Sequence, residues 1–289
     1  MNINITALFV CIDDFCKIYE KAQLTKLLPS EKQRNRGSLL CLSEMLFIEI
    51  LYHYSGFRTF KSFYEYSIEG KYRNLFKALP CYERFVSLKK HLFMPITLLL
   101  HFLMGDKTGV YFADSTPIKV CHDKRTSKHK VFNGLATIGK SSMGWFFGFK
   151  LHIIINDKGG IVGVRITGGN CDDRVALREM KGELMGKIFA DKGYISKGLF
   201  ADFLKQGLKL ITGIRRTMKN YLMPAIDKIL LRKRSIVETV FGVLKTSFNL
   251  EHTRHRSVMN AFVHLLGTLV AYQFRKSKPT IKNAFITTS

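Results

Sequence analysis

Paired cysteines are absent from this chain. Its 289 residues include 6 cysteines, at positions 11, 16, 41, 81, 121 and 171, with no CxxC spacing among them. That excludes a disulfide framework and a zinc finger, and it fits a reducing compartment, with the cytoplasm as the expected location. Long apolar runs are missing too. The longest, Pro95 to Gly105, is interrupted by His101 and is too short to span a bilayer, so no membrane partner is expected. The apolar start, Met1 to Ile12, has no basic flank and runs into Asp13-Asp14, which is not a signal-peptide pattern. There are no internal repeats and no low-complexity segments.

Acidic residues are scarce. Asp and Glu number 22 against 46 Lys and Arg, a formal net charge of +24. Such self-repulsion is costly to a fold, and a polyanionic partner is the simplest reason to keep it. The excess is uneven. Residues 1–110 hold 15 basic and 10 acidic residues, net +5, and the remainder holds 31 and 12, net +19. With 46% hydrophobic and 12% aromatic residues the chain has enough apolar material for a sizeable core.

Against this scarcity, two acids stand out. Val110-Tyr-Phe-Ala-Asp114 and Lys187-Ile-Phe-Ala-Asp191 are strand-type runs that both end in Phe-Ala-Asp. A third acid, Glu238, follows in Arg234-Ser-Ile-Val-Glu238-Thr-Val-Phe-Gly-Val-Leu-Lys245. Either aspartate alone reads as a turn-initiating residue. The repeated ending favours a shared site. Phosphodiester chemistry needs such a cluster, because two divalent ions can activate the attacking oxygen and stabilise the leaving one. Magnesium prefers carboxylate oxygen and water, and manganese is expected to substitute.

Residues 1–105 read as helical, with apolar residues at helical spacing over Thr6 to Leu28 and Ser38 to Tyr54. Phe57, Phe60 and Tyr64 read as a core stripe rather than a base-stacking surface, and no segment identifies a helix-turn-helix. After Gly105 the pattern changes. Strands are expected at 110–114, 145–155 and 161–167, the last two joined by the turn Asn156-Asp-Lys-Gly-Gly160. A loose basic segment, Lys119 to Lys140, precedes them. Helices are expected at about 174–185, 197–206, 235–246 and 257–274, and strands at 187–191 and 208–212. Asp172 or Asp173 should cap the first of these helices. The order predicts an α/β fold with a ribonuclease H-like mixed sheet flanked by helices, preceded by an all-helical N-terminal region. The expected boundaries are 1–105, 106–276 and a tail at 277–289.

Arg234, Glu238 and Lys245 fall within about 60° on one face of a single helix. Spacing alone leaves a solvated stripe with i,i+4 support equally open. Nearby Arg232, Lys233, Arg254 and Arg256, and Lys128 and Lys130 further back, favour phosphate contact. His252 and His255 lack a third ligand for a metal site. His152 reads as a sheet-surface residue, Trp145 as core, and Ser115 lacks a histidine partner for nucleophilic chemistry.

The pieces Asp114-Ser-Thr-Pro-Ile, Gly144-Trp-Phe-Phe-Gly-Phe-Lys-Leu-His, Gly169-Asn-Cys-Asp-Asp, Asp191-Lys-Gly-Tyr-Ile-Ser, Arg234-Ser-Ile-Val-Glu238 and Arg254-His-Arg-Ser carry a family resemblance. The chain resembles DDE transposases of bacterial insertion sequences and is most similar to insertion-sequence family 982. The resemblance implies that Asp114, Asp191 and Glu238 are a catalytic, metal-binding triad. Related transposases carry a Tyr-2-Arg-3-Glu-6-Lys signature. Here Arg234, Glu238 and Lys245 keep its spacing, with Leu231 where the tyrosine would fall. The implied function is binding of element ends, then metal-dependent cleavage and strand transfer into target DNA, with Mg2+ as cofactor. The implied partners are double-stranded DNA and further copies of the chain, as a dimer or higher oligomer. Arg234, Lys245, Lys128, Lys130, Arg232, Lys233, Arg254 and Arg256 are the expected DNA contacts. Two rivals remain: another nuclease or resolvase of the same fold, and a non-catalytic DNA-binding repressor.

Overall fold

The structure is a computed structural model that describes residues 3–25, 39–141, 144–218, 222–251 and 255–281. The chain forms two compact units. One is residues 1–103, 244–250 and 255–275; the other is residues 104–243, 251–254 and 276–289.

The first unit is helical. It contains α1 (Ile5–Leu24), α2 (Leu42–Tyr54), α3 (Phe60–Phe63), α4 (Tyr82–Leu88) and α5 (Phe93–Phe102). Helix α2 is buried nearly all round, its polar Ser43, Glu49 and His53 included. Of the aromatic stripe, Tyr64 is fully buried as expected, while Phe57 and Phe60 are half-buried, Phe60 stacking on Phe85 at 5.5 Å.

The second unit is built on a six-stranded sheet: β1 (Val110–Lys119), β2 (Thr137–Ser141), β3 (Gly144–Asn156), β4 (Ile161–Gly168), β5 (Gly186–Ala190) and β6 (Leu208–Thr212). Long β3 pairs antiparallel with β1 along one edge. On its other edge it pairs with β2 near its start and with β4 beyond. Strands β5 and β6 then add parallel to β1, giving the path β2-β3-β1-β5-β6. An antiparallel meander extended by parallel strands, with helices alongside, is the ribonuclease H-like arrangement. The β3–β4 turn closes as its residue types dictate. Asn156 Oδ1 accepts from the amides of Lys158 and Gly160. Gly159 sits at φ +74°, and a Cβ there would strike the carbonyl of Pro279.

The period-2 alternation gives the sheet two faces. Tyr111, Ala113, Ile188, Ala190 and Leu210 point to one, where α6 (Asp173–Met180) and α7 (Lys197–Leu204) cover them with Leu177, Leu199 and Phe203. Asp172 is the N-cap of α6, its carboxylate accepting from the Arg174 amide. Phe112 and Phe189 point to the other face and stack at 5.5 Å. Helix α8 (Ala225–Lys233) lies on that face. Its buried Asp227 reaches Lys187 of β5 at 2.7 Å, and Lys187 shares a face with Phe189.

Strand β1 does not stop at Asp114; it continues to Lys119, paired with β3 throughout. Helix α8, which carries Arg232 and Lys233, is not among the helices expected from the sequence. The loose segment 119–140 contains a helical turn at Asp123–Lys128 and strand β2. The last two helices are α9 (Ile236–Ser247) and α10 (Val258–Phe274). Helix α10 packs on α2 and α5 within the helical unit rather than closing the sheet domain. Trp145 is not core but 63% exposed, because it sits on the open face of the β2–β3 hairpin beside Lys140. His152 is not at the sheet surface but buried, sharing a hydrogen bond with Thr167 and lying 3.8 Å from Asp173.

Candidate metal centre

The repeated Phe-Ala-Asp has a geometric cause. Strands β1 and β5 run parallel with Phe112 opposite Phe189. Continued two residues along, that register sets Asp114 beside Asp191, on the face that α8 covers. Strand β5 ends at Ala190, so Asp191 opens a tight turn, Lys192–Tyr194. Asp114 lies within β1, just past the last parallel pair, where the edge toward β5 opens.

Helices α8 and α9 bring the third acid. They are not one continuous helix. The chain turns at Arg234 and Ser235, and α9 restarts at Ile236. This corrects the single-helix expectation for Arg234 and Glu238. The break frees the Arg234 side chain to reach inward. Its Nη1 lies 3.4 Å from Asp114 Oδ2, and its Nη2 lies 3.7 Å from Asp191 Oδ1 and 3.6 Å from Glu238 Oε1. Asp191 and Glu238 share one nitrogen, so these two oxygens are no further apart than the sum of those two contacts. Val237, Val240 and Leu244 of α9 are fully buried on its opposite stripe, which fixes the direction of Glu238.

Asp114 is the most enclosed of the three carboxylates, with 22% of its side chain exposed, against 58% and 62% for Asp191 and Glu238. Burial is the main cause of its raised pKa, about 6. The Ser115 amide at 2.8 Å and Arg234 oppose the rise, and Asp191 and Glu238 add to it. On the other face, buried Tyr194 lies beside the Ser115 side chain, and its amide donates to the Asp191 carbonyl at 3.0 Å. Tyr194 therefore ties the turn after one aspartate to the residue after the other. Reasoning from sequence missed this role, although Asp191-Lys-Gly-Tyr194 carried the signal.

Residues 104–258, more than half of the chain, match the sequence profile of the family described as Transposase DDE domain. The chain belongs to that family. Two solved structures are similar to this transposase over most of their length. One is a pre-cleavage Mos1 transpososome, at 12% identity and TM-score 0.27, covering 87% of this chain and 83% of that one. The other is a Mos1 mariner paired end complex with Mn, at 12% identity and TM-score 0.26, covering 91% and 87%. No curated protein matches the chain.

The donor set of the transposase suits a hard divalent ion: three carboxylates, all oxygen, already gathered about one cationic side chain. A second cluster does not suit one. Glu49, His53 and His264 of the helical unit stand close enough to share an ion. Glu49, however, is buried against the Lys89 ammonium at 2.7 Å, which already supplies its positive charge. Burial pushes the His53 pKa down to about 3, and its Nδ1 faces the Phe248 carbonyl at 2.9 Å. The cluster is a buried ion pair flanked by neutral imidazoles, and two nitrogen donors are a poor match for magnesium.

The expected DNA contacts lie on several elements of the chain. Lys128 and Lys130 are exposed at the end of the helical turn after β1 and just beyond it, and Arg232 and Lys233 are exposed on the last turn of α8. Lys245 is half-buried on α9, seven residues beyond Glu238. Arg256 is exposed just before α10. Arg254 and His252 lie outside the described residues.

One consequence is measurable without DNA. Between about pH 4 and 6 the unfolded chain has released the Asp114 proton and the folded chain has not, so stability falls as pH rises through that window. Asp114→Asn mimics the protonated form and escapes the loss. Its metal-free stability should exceed that of the parent by up to about 3 kcal/mol above pH 6, and the gain should vanish near pH 3. Urea melts at both pH values check this. A gain independent of pH would contradict the burial of this carboxylate.

Proposed function

We propose that this transposase binds the ends of a bacterial insertion sequence, cuts the DNA there and joins the freed ends to a target, using Asp114, Asp191 and Glu238 to hold Mg2+ or Mn2+. The observation that carries the reading is the convergence of those three carboxylates, in a segment that matches the DDE domain, on a single guanidinium. Membership of family 982 is part of the proposal and rests on the motifs quoted above. Divalent ions held there would activate the attacking oxygen and stabilise the leaving one.

The chain's own residues do the rest. Asp114, set in a strand and bonded to the Ser115 amide, is the rigid ligand. Asp191 and Glu238, more exposed, open toward solvent and the scissile phosphate. Water attacks first, and the released 3′-hydroxyl then attacks the target strand. Exposed Lys128, Lys130, Arg232, Lys233 and Arg256, with Lys245, grip the backbone phosphates, and Arg254 is assigned with them from sequence. The protein acts as a dimer or larger assembly on paired ends.

The experiment is a strand-transfer assay with the element's own ends, a target plasmid and Mg2+ or EDTA. The expected product is end DNA covalently joined to target, formed only with the divalent ion. Metal-dependent nicking without joining would favour a nuclease or resolvase, and binding with neither would favour a repressor.

A further inference from the structure

Arg234 does more than an i,i+4 helix pair or a phosphate clamp requires. A helix pair would engage Glu238 alone, and a clamp would point away from the acids. Instead one guanidinium contacts all three carboxylates, at 3.4, 3.7 and 3.6 Å, with only 20% of its side chain exposed. Three carboxylates drawn to one point repel each other unless a cation sits among them. Arginine suits that place. Its planar fork spreads five donors over three nitrogens in a fixed geometry, where lysine offers three from one compact nitrogen. The break between α8 and α9 gives the side chain its approach.

We propose that Arg234 is the resident counter-ion of the metal-free acid cluster, holding Asp114, Asp191 and Glu238 together until divalent ions replace it. The inference rests on the reading of those acids as metal ligands. Carboxylate oxygens committed to a guanidinium must be released to coordinate an ion, and the like charges of Arg234 and the ion disfavour their sharing the site. Arg234 therefore competes with the metal it prepares the site for. Once displaced, its guanidinium is free to take a DNA phosphate, which couples loading of the site to the grip on substrate.

The test uses the full chain without DNA. Mn2+ affinity is measured by electron paramagnetic resonance for the parent, Arg234→Gln, Arg234→Lys and Asp191→Asn, and melting is followed in EDTA and in Mn2+. Arg234→Gln should bind Mn2+ about tenfold more tightly, because a competing charge is gone. It should melt below the parent in EDTA and regain most of the difference in Mn2+. Arg234→Lys should fall between the two, and Asp191→Asn should lose Mn2+ affinity. Equal or weaker Mn2+ binding by Arg234→Gln overturns the counter-ion role while leaving the metal site intact. If neither the parent nor Arg234→Gln binds Mn2+, the metal-ligand reading fails with it. Should Arg234→Gln not fold in EDTA, refolding in Mn2+ decides: a restored melting transition supports the proposal, and none overturns it.

Discussion

Asp191→Asn should abolish cleavage, by about 10⁴-fold or more, and leave affinity for DNA within a factor of about two. The first figure is the scale on which enzymes lose rate when one member of a catalytic unit is removed. The second follows from structure. The Asp191 side chain is 58% exposed and meets Arg234 only at 3.7 Å, so an isosteric amide disturbs little of the fold. Glu238→Gln should behave the same way, since Glu238 stands on an outward stripe of α9 whose packing is carried by Val237, Val240 and Leu244. Lys245→Ala should differ. Seven residues along the helix from Glu238, it lies about 10 Å further on and cannot share the same ion. It should weaken binding and retain cleavage at saturating DNA. Single-turnover cleavage and a binding titration in Ca2+ separate the cases. If Lys245→Ala proved as inactive as Glu238→Gln at saturating DNA, the division into metal ligand and phosphate contact would be wrong.

DNA affinity should collapse with salt. Of the net charge of +24, +19 lies after residue 110, in the part that holds the three acids. Each phosphate neutralised releases condensed counterions, with a slope of about −0.9 per contact in a plot of log affinity against log salt. Six to ten contacts would cost roughly 10³ to 10⁵ in affinity between 50 and 200 mM salt. Replacing exposed Lys128 and Lys130 with Gln should reduce the slope by about 2 and weaken binding to all sequences alike. A nearly flat salt dependence would refute the extended basic surface.

The acid site was legible in sequence because it is a register effect. Parallel neighbours β1 and β5 need the same residue types at the same depth, so Phe-Ala-Asp recurs and both aspartates emerge on one face. The turn at Asn156–Gly160 and the N-cap at Asp172 were legible for a similar reason, since local side-chain bonding alone determines them. What was hidden depended on partners distant in sequence. Helix α8 was obscured by Lys228, Arg232 and Lys233. Its packing residues are few, and Asp227 reads as surface until its partner Lys187 is known. The continuation of β1 through Ser-Thr-Pro is held by pairing to β3, which no local signal announces. His152 looked like a surface residue because the helix that buries it, α6, follows a separate strand. The spacing of Arg234 to Glu238 was read correctly, but the turn between α8 and α9 was not. That turn is what lets Arg234 meet three acids instead of one.

The three-acid metal site is tested most sharply by a crystal structure of the transposase grown with Mn2+ and end DNA, with anomalous scattering used to place the metal. Manganese is expected within about 2.2 Å of carboxylate oxygens from Asp114, Asp191 and Glu238, with a second ion about 3.5–4 Å from the first when DNA is bound. Manganese at Glu49, His53 and His264, or no manganese among the three acids, would contradict it.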